Sequence, residues 1–214
     1  MGGLAKVLLP LRGQPVITYS LDAMQAAESI DQIVLVCSRE TLLALKMLFE
    51  SGAWPKVSDL VLGGDRRQDS VAAGLAAIAD SCEVVAVHDG ARPFASPALF
   101  DACVAAARKH GAAIAATPVV DTLKRVPLGV ALSTINRADL WAAQTPQVFQ
   151  TRLLRDGFAF ANARGLVVTD EAMLMEAIGQ PVHVVEGSRF NIKITQPEDL
   201  KIAEAFADIL RERP

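Results

Sequence analysis

The apolar residues of this chain fall into short blocks with two rhythms. Ile30–Cys37 (IDQIVLVC), Leu60-Val61-Leu62, Val84–Val87 and Ala112–Ala116 (AAIAA) are compact apolar stretches, the pattern of strands buried on both faces of a sheet. Between them, apolar residues recur at helical spacing. Val16, Ile17, Leu21 and Met24 follow Pro15, which suits the start of a helix. Ser38 is a candidate N-cap for a helix from Arg39 to about Glu50, and Asp69-Ser70 opens an alanine-rich helix through Ala79. Further helices are predicted from Pro97 to about His110, from Thr151 to about Ala163, after Thr169-Asp170-Glu171, and from Pro197 to about Glu212. Val182–Glu186 and Asn191–Thr195 (NIKIT) read as strands. Strands alternating with helices predict an α/β fold with a largely parallel sheet.

One stretch departs from this rhythm. Over residues 117–137, VVDTLKRV and GVALSTIN flank Pro127-Leu128-Gly129, which reads as a hairpin arm projecting from the sheet. The arm has no core of its own, so it is expected to pack on a second subunit and make a homodimer. The segment Gln144–Phe149 (QTPQVF) returns the chain to the body.

Composition narrows the class. A chain of 214 residues predicts one domain with a real core. The net charge of −3 argues against a general nucleic-acid surface but leaves room for a local basic pocket that binds phosphates. Cys37, Cys82 and Cys103 have no CxxC spacing, so reduced thiols are expected, with no zinc site. No apolar run approaches the ~18 residues of a membrane span. MGGLAKVLLPL is too short and interrupted for a signal peptide, so a cytoplasmic location without a membrane partner is expected.

The candidate chemistry centres on VVAVHDGARP. In open α/β sheets, ligands sit beyond the carboxyl ends of the strands, where Asp89, Gly90 and Arg92 fall. Asp89 offers hard oxygens to a divalent ion, Gly90 lets backbone approach a ligand, and Arg92 can anchor the turn or meet an anion. The plainer alternative is a polar turn with Asp89 paired to Arg92. Gly63-Gly64-Asp65-Arg66-Arg67-Gln68-Asp69-Ser70-Val71 is a glycine turn entering a helix, where free N–H groups favour anions; it also reads as a simple cap. Lys6 stands in a polar-poor segment and, on its own, reads more readily as a surface charge than as a site residue. Asn191, Lys193 and Thr195 alternate and would share one strand face, either a pocket edge or a solvated face. Asp121, Thr122, Lys124 and Arg137 decorate the arm, where Arg137 and Thr122 could hold a phosphate. Asp170-Glu171 reads as a helix cap. The histidines are isolated from one another, and no Ser–His–Asp or Cys–His set is present.

Taken together, LAKVLLPLRGQPVI, GGDRRQDSV, VHDGARP, PVVDTLKR, NRADLWAAQTPQVF, TDEA and VVEGSRFNIKITQPEDL resemble, in order and spacing, the 2-C-methyl-D-erythritol 4-phosphate cytidylyltransferase family. The resemblance implies a Rossmann-like nucleotidyltransferase fold of the glycosyltransferase-A-like type, with a mostly parallel sheet flanked by helices and a dimerisation arm. It implies transfer of cytidylyl from CTP to methylerythritol phosphate, with Mg²⁺ on the triphosphate. By motif, Lys6 and Lys193 match catalytic lysines. Gly64, Asp65, Ser70 and Gly90 match the CTP pocket. Asp89 matches the acidic residue near the metal and the substrate hydroxyls. Thr145 matches a substrate contact, and Thr122 and Arg137 match arm residues that reach the substrate phosphate across a dimer. The family pattern opens with a strand and an AAGxGxRMG loop, whereas the match here starts at Met1-Gly2-Gly3, so that strand and most of the loop are expected to be lacking. Rival readings are a ribitol 5-phosphate cytidylyltransferase and a non-catalytic nucleotide-binding protein.

Overall fold

The computed structural model of this chain describes residues 6–211. A 3-10 turn at Lys6–Leu8 leads into a small hairpin, β1 (Pro10–Leu11) and β2 (Gln14–Pro15). Arg12 and Gly13 both take positive φ between these strands, as a two-residue hairpin turn requires. Then follow α1 (Val16–Ala26), β3 (Ile33–Cys37), α2 (Leu42–Glu50), β4 (Val57–Leu62), α3 (Arg67–Ala76), β5 (Val84–Val87), α4 (Pro97–His110) and β6 (Ala112–Pro118). The arm carries β7 (Leu123–Arg125) and β8 (Ser133–Ile135). The chain closes with β9 (Trp141–Gln150), α5 (Thr151–Arg164), α6 (Ala172–Ala177), β10 (His183–Glu186) and α7 (Pro197–Arg211).

The main sheet is four-stranded, in the order β10-β6-β9-β5. β10 runs parallel to β6, while β9 runs antiparallel to both β6 and β5, so three strands point one way and β9 is reversed between them. The α/β class and the shared direction of most strands agree with the sequence; the reversed strand inside the sheet is a correction. Its sequence hid it, because Gln144, Thr145 and Gln147 are polar yet buried. Successive residues of β9 feed opposite faces. Val148 packs with Phe100, Cys103 and Val104 under α4, and Phe149 packs with Leu154, Phe158, Leu174 and Met175 under α5 and α6. The thiols are all free, and burial pushes that of Cys103 up to about 12. The expectation of isolated histidines is corrected at one place: His110, ending α4, and His183, opening β10, stack with ring centroids 3.7 Å apart, because β6 brings the two elements side by side.

β3 and β4 form a separate parallel pair. Among the described residues, β3 pairs only with β4 and β5 only with β9. All of β3 and all of β5 line one cavity of about 890 Å³, and Lys6, Ser70 and Asp89 also line it. The expected absence of a leading strand and loop concerns residues ahead of this described span.

Other boundaries move for local reasons. Ser38 and Thr41 spend their side chains on their own turn, so α2 starts three residues late. α3 starts before Asp69, whose carboxylate sits in the first turn and accepts from the Arg66 N–H. NIKIT joins no ladder; the Ile194 N–H donates to the Ala91 carbonyl instead. The predicted arm is present, paired from Leu123↔Ile135 to Arg125↔Ser133, with Val126, Leu128, Val130 and Leu132 exposed. No helix among the described residues is long and apolar enough to cross a membrane.

Candidate active site

β5 delivers its last residue, Val87, to the turn His88–Arg92, which is closed by the Arg92 N–H donating to the Asp89 carbonyl at 2.9 Å. Asp89 is the hub. Its Oδ2 lies 2.8 Å from Lys193 Nζ and 3.8 Å from Arg92 Nε, and its Oδ1 lies 3.4 Å from Arg67 Nε. Burial opposes its charge, but the hydrogen bond from Lys193 and the positive charges of Lys193, Arg67 and Arg92 outweigh that penalty. The carboxyl is therefore held below the usual carboxylate range.

Arg92 serves mainly as an anchor. Its Nη1 donates to the Asn191 carbonyl at 2.7 Å, drawing the NIKIT segment against the turn. Asn191 is buried and donates through Nδ2 to the Thr145 carbonyl at 2.9 Å and to Gln144 Oε1 at 3.1 Å. The expectation that Asn191, Lys193 and Thr195 share one face is therefore corrected. Asn191 points inward, Lys193 reaches Asp89, and Thr195 bonds to Asp199 at the start of α7.

Arg67, the first residue of α3, was not singled out by sequence reasoning. It bridges Asp89 and the fully buried Glu171, with Arg67 Nη1 2.7 Å from Glu171 Oε1. Burial pushes the Glu171 carboxyl up, and Arg67 opposes that shift. The Asp170-Glu171 pair thus divides its labour. Asp170 caps α6 by accepting from the Met173 N–H, whereas Glu171 is an interior ion-pair partner. Two arginines adjoin in GGDRRQDSV, and only the direction of the helix start tells that Arg67 turns inward while Arg66 pairs with Asp69 on the surface.

The structure brings most of the predicted residues together. Lys6, Ser70, Asp89 and Gly90 line the same cavity, Lys193 bonds Asp89, and Thr145 Oγ1 accepts from the Asp89 N–H at 3.1 Å. Gly64 lies under α3: a Cβ there would meet Asp69 Cβ at 2.5 Å, so the turn can carry only glycine. Ser70 Oγ reaches the Gly64 carbonyl at 3.3 Å, and Asp65 is exposed beside it. Thr122 and Arg137 are exposed on the arm; within the chain they neither line this cavity nor bond the Asp89 cluster. Among the described residues, no group of three His, Cys, Asp or Glu side chains forms a metal cage.

A glycine turn entering a helix, a lysine and two arginines converging on a strand-end carboxylate, and an α/β sheet with one reversed strand define a Rossmann-like nucleotidyltransferase. Over residues 1–209 the chain matches the family model of 2-C-methyl-D-erythritol 4-phosphate cytidylyltransferase, and it belongs to that family. It is 48% identical over 205 residues to the 2-C-methyl-D-erythritol 4-phosphate cytidylyltransferase of Parasynechococcus marenigrum (strain WH8102), covering 94% of this chain and 88% of the relative. The crystal structure of 4-diphosphocytidyl-2C-methyl-D-erythritol synthase from Anaerococcus prevotii DSM 20548 superimposes with a TM-score of 0.87 at 32% identity, covering 96% of this chain and 93% of that one. The Thermus thermophilus 2-C-methyl-D-erythritol 4-phosphate cytidylyltransferase gives a TM-score of 0.80 at 35% identity, covering 95% and 93%.

Proposed function

We propose that this chain transfers the cytidylyl group of CTP to 2-C-methyl-D-erythritol 4-phosphate, giving the CDP-alcohol and pyrophosphate. A phosphate oxygen of the acceptor attacks the α-phosphorus of CTP, and the bond from that phosphorus to the bridging oxygen of the β-phosphate breaks. No covalent enzyme intermediate is needed; positioning and charge neutralisation carry such a reaction. The observation that carries the reading is the 2.8 Å contact of Lys193 with Asp89 at the mouth of a cavity that Lys6 and Ser70 also line.

The roles divide by position. Lys193 is held ready by Asp89 and turns to the α-phosphate as negative charge develops there. Lys6, which lines the same cavity, neutralises the triphosphate. The turn from Gly64 through Ser70, with Asp65 and Gly90, receives the cytidine end. Thr145 and Asp89 hold the acceptor polyol. One carboxylate already flanked by three cations suits Mg²⁺ carried mostly by nucleotide phosphates and water, with Asp89 as its protein ligand. The ion supplies charge neutralisation on the triphosphate when bound.

The exposed apolar residues of the arm support a homodimer, in which Thr122 and Arg137 would reach a partner's substrate phosphate. The substrates are soluble phosphates, so we assign the protein to the cytoplasm, without membrane or nucleic-acid partners. The test is pyrophosphate release from CTP, Mg²⁺ and methylerythritol phosphate, with ribitol 5-phosphate run in parallel. Release with methylerythritol phosphate alone is expected; preference for ribitol 5-phosphate, or none with either, would overturn the reading.

A further inference from the structure

His88 sits between the two halves of the site and has no role in the reaction proposed above. Its Nδ1 is 3.0 Å from Thr145 Oγ1, its Nε2 is 3.3 Å from the Arg92 carbonyl, and its ring packs at 5.0 Å from that of Phe100 in α4. The direction of each bond follows from counting protons. The Arg92 carbonyl can only accept, so Nε2 must carry a hydrogen. The other nitrogen, Nδ1, faces a hydroxyl and no carboxylate, so nothing holds a second proton on the ring, and a neutral imidazole leaves Nδ1 bare. The Thr145 hydroxyl must therefore donate to Nδ1. The same oxygen accepts from the Asp89 N–H.

We propose that His88 is a positioning residue: as the neutral Nε2–H tautomer it orients the Thr145 hydroxyl, which in turn fixes the backbone of Asp89 and with it the carboxylate that holds Lys193. The proposal rests on the cytidylyl-transfer reading for its kinetic consequence, though its geometry does not. The Thr145 carbonyl accepts from Asn191, and the Asn191 carbonyl accepts from Arg92, so the relay closes into a ring joining β5, β9 and the segment that bears Lys193. One consequence concerns substrate. The Thr145 hydroxyl proton is already committed, leaving only a lone pair, so any substrate group that Thr145 meets must be a donor. That fits a polyol hydroxyl and excludes a fully ionised phosphate oxygen.

Two substitutions separate the two ring nitrogens. His88→Asn keeps an acceptor near the Nδ1 position, and His88→Gln keeps a donor near Nε2. The relay predicts that His88→Asn retains kcat within about threefold while His88→Gln loses about tenfold or more with KM for CTP little changed, since small misplacements at a reacting centre cost rate. A role confined to closing the turn through the Arg92 carbonyl predicts the reverse ranking and would overturn the proposal. Independently of catalysis, long-range ¹H–¹⁵N spectra of the whole protein at pH 7 should show His88 as the neutral Nε2–H form, identified by its loss in His88→Asn. An Nδ1–H form or an imidazolium would also overturn it. If the unsubstituted protein releases no pyrophosphate, the reaction reading fails while the spectrum still decides the relay.

Discussion

Asp89, Thr145, Arg67 and Lys193 at the strand ends, and Asp121, Thr122, Arg137 and Lys124 on the arm, are the same four residue types in opposite surroundings. At the strand ends, each side chain bonds another group that is distant in sequence, and the Asp89 side chain is only 16% exposed. On the arm all four are at the surface, and Lys124 finds only Thr134 across the hairpin. A polar residue in the interior must be paired or it is costly, so packing dictates its partners. A polar residue on a two-stranded hairpin has no such obligation, and its geometry waits for a ligand or a second copy. The first region is defined by one chain, and the second is not.

The largest test of this contrast is Lys193→Ala. Its charge acts on the transition state and its side chain is 40% exposed, so turnover should fall by about 10²–10³-fold, with a melting temperature close to that of the unsubstituted protein. Full activity by pyrophosphate release would remove Lys193 from the mechanism. Glu171→Ala attacks the rear of the same cluster and leaves Arg67 with Asp89 alone, beside a void. Breaking such a pair should cost about 3 kcal/mol in urea unfolding, with Glu171→Gln costing clearly less. Equal losses would mean that the lost charge, and not the void, sets the cost.

Acid should expose the cluster in a different way. His88 is neutral when folded, with a pKa of about 4 against 6.5 for the free side chain, so the unfolded chain binds the extra proton first. Its contribution is therefore full above pH 6.5 and is lost as pH falls toward 4, by at most about 3 kcal/mol. Unfolding curves of the protein and of His88→Asn should converge across that window; parallel curves would show an ordinary, solvated imidazole. The arm should behave differently again. Leu132→Asp leaves the chain's own core untouched, so the melting of the isolated protomer should hold while sedimentation shows dimer affinity weakened by about tenfold or more, a loss of about 1.4 kcal/mol. An unchanged association constant would separate the arm from any interface. The smallest effect is expected at Ser96, whose side chain accepts from the Leu99 N–H to cap α4; Ser96→Ala should cost about 1 kcal/mol by urea unfolding without touching turnover.

The legible parts were those governed by local rules. Pro97 with Ser96 before it marks the start of α4, and Val84–Val87 followed by His-Asp-Gly marks a strand delivering a polar turn, although only Val85 of it is fully buried. Pro127-Leu128-Gly129 marks the tip of the arm, where Leu128 and Gly129 take positive φ. β9 was not legible, because its buried face carries glutamines and a threonine whose partners, among them Asp170, Ser188, Asp89 and His88, lie in other elements. Arg67 was hidden for the same reason: nothing within GGDRRQDSV distinguishes it from Arg66, and Glu171 lies 104 positions further along.

By itself the sequence determined which segments are helices, where most strands lie, where the arm turns, and the family to which the chain belongs, because propensity, periodicity and motif order act over short distances or over the whole string of blocks. Only the tertiary structure decided which polar residues converge. It reversed β9 between β6 and β5, turned Asn191 inward and Lys193 toward Asp89, sank Glu171 beneath Arg67, and set His88 between Thr145 and the Arg92 carbonyl. Each of those outcomes depends on the requirement that a buried donor or acceptor find a partner, and that partner is supplied by whichever distant element packs against it.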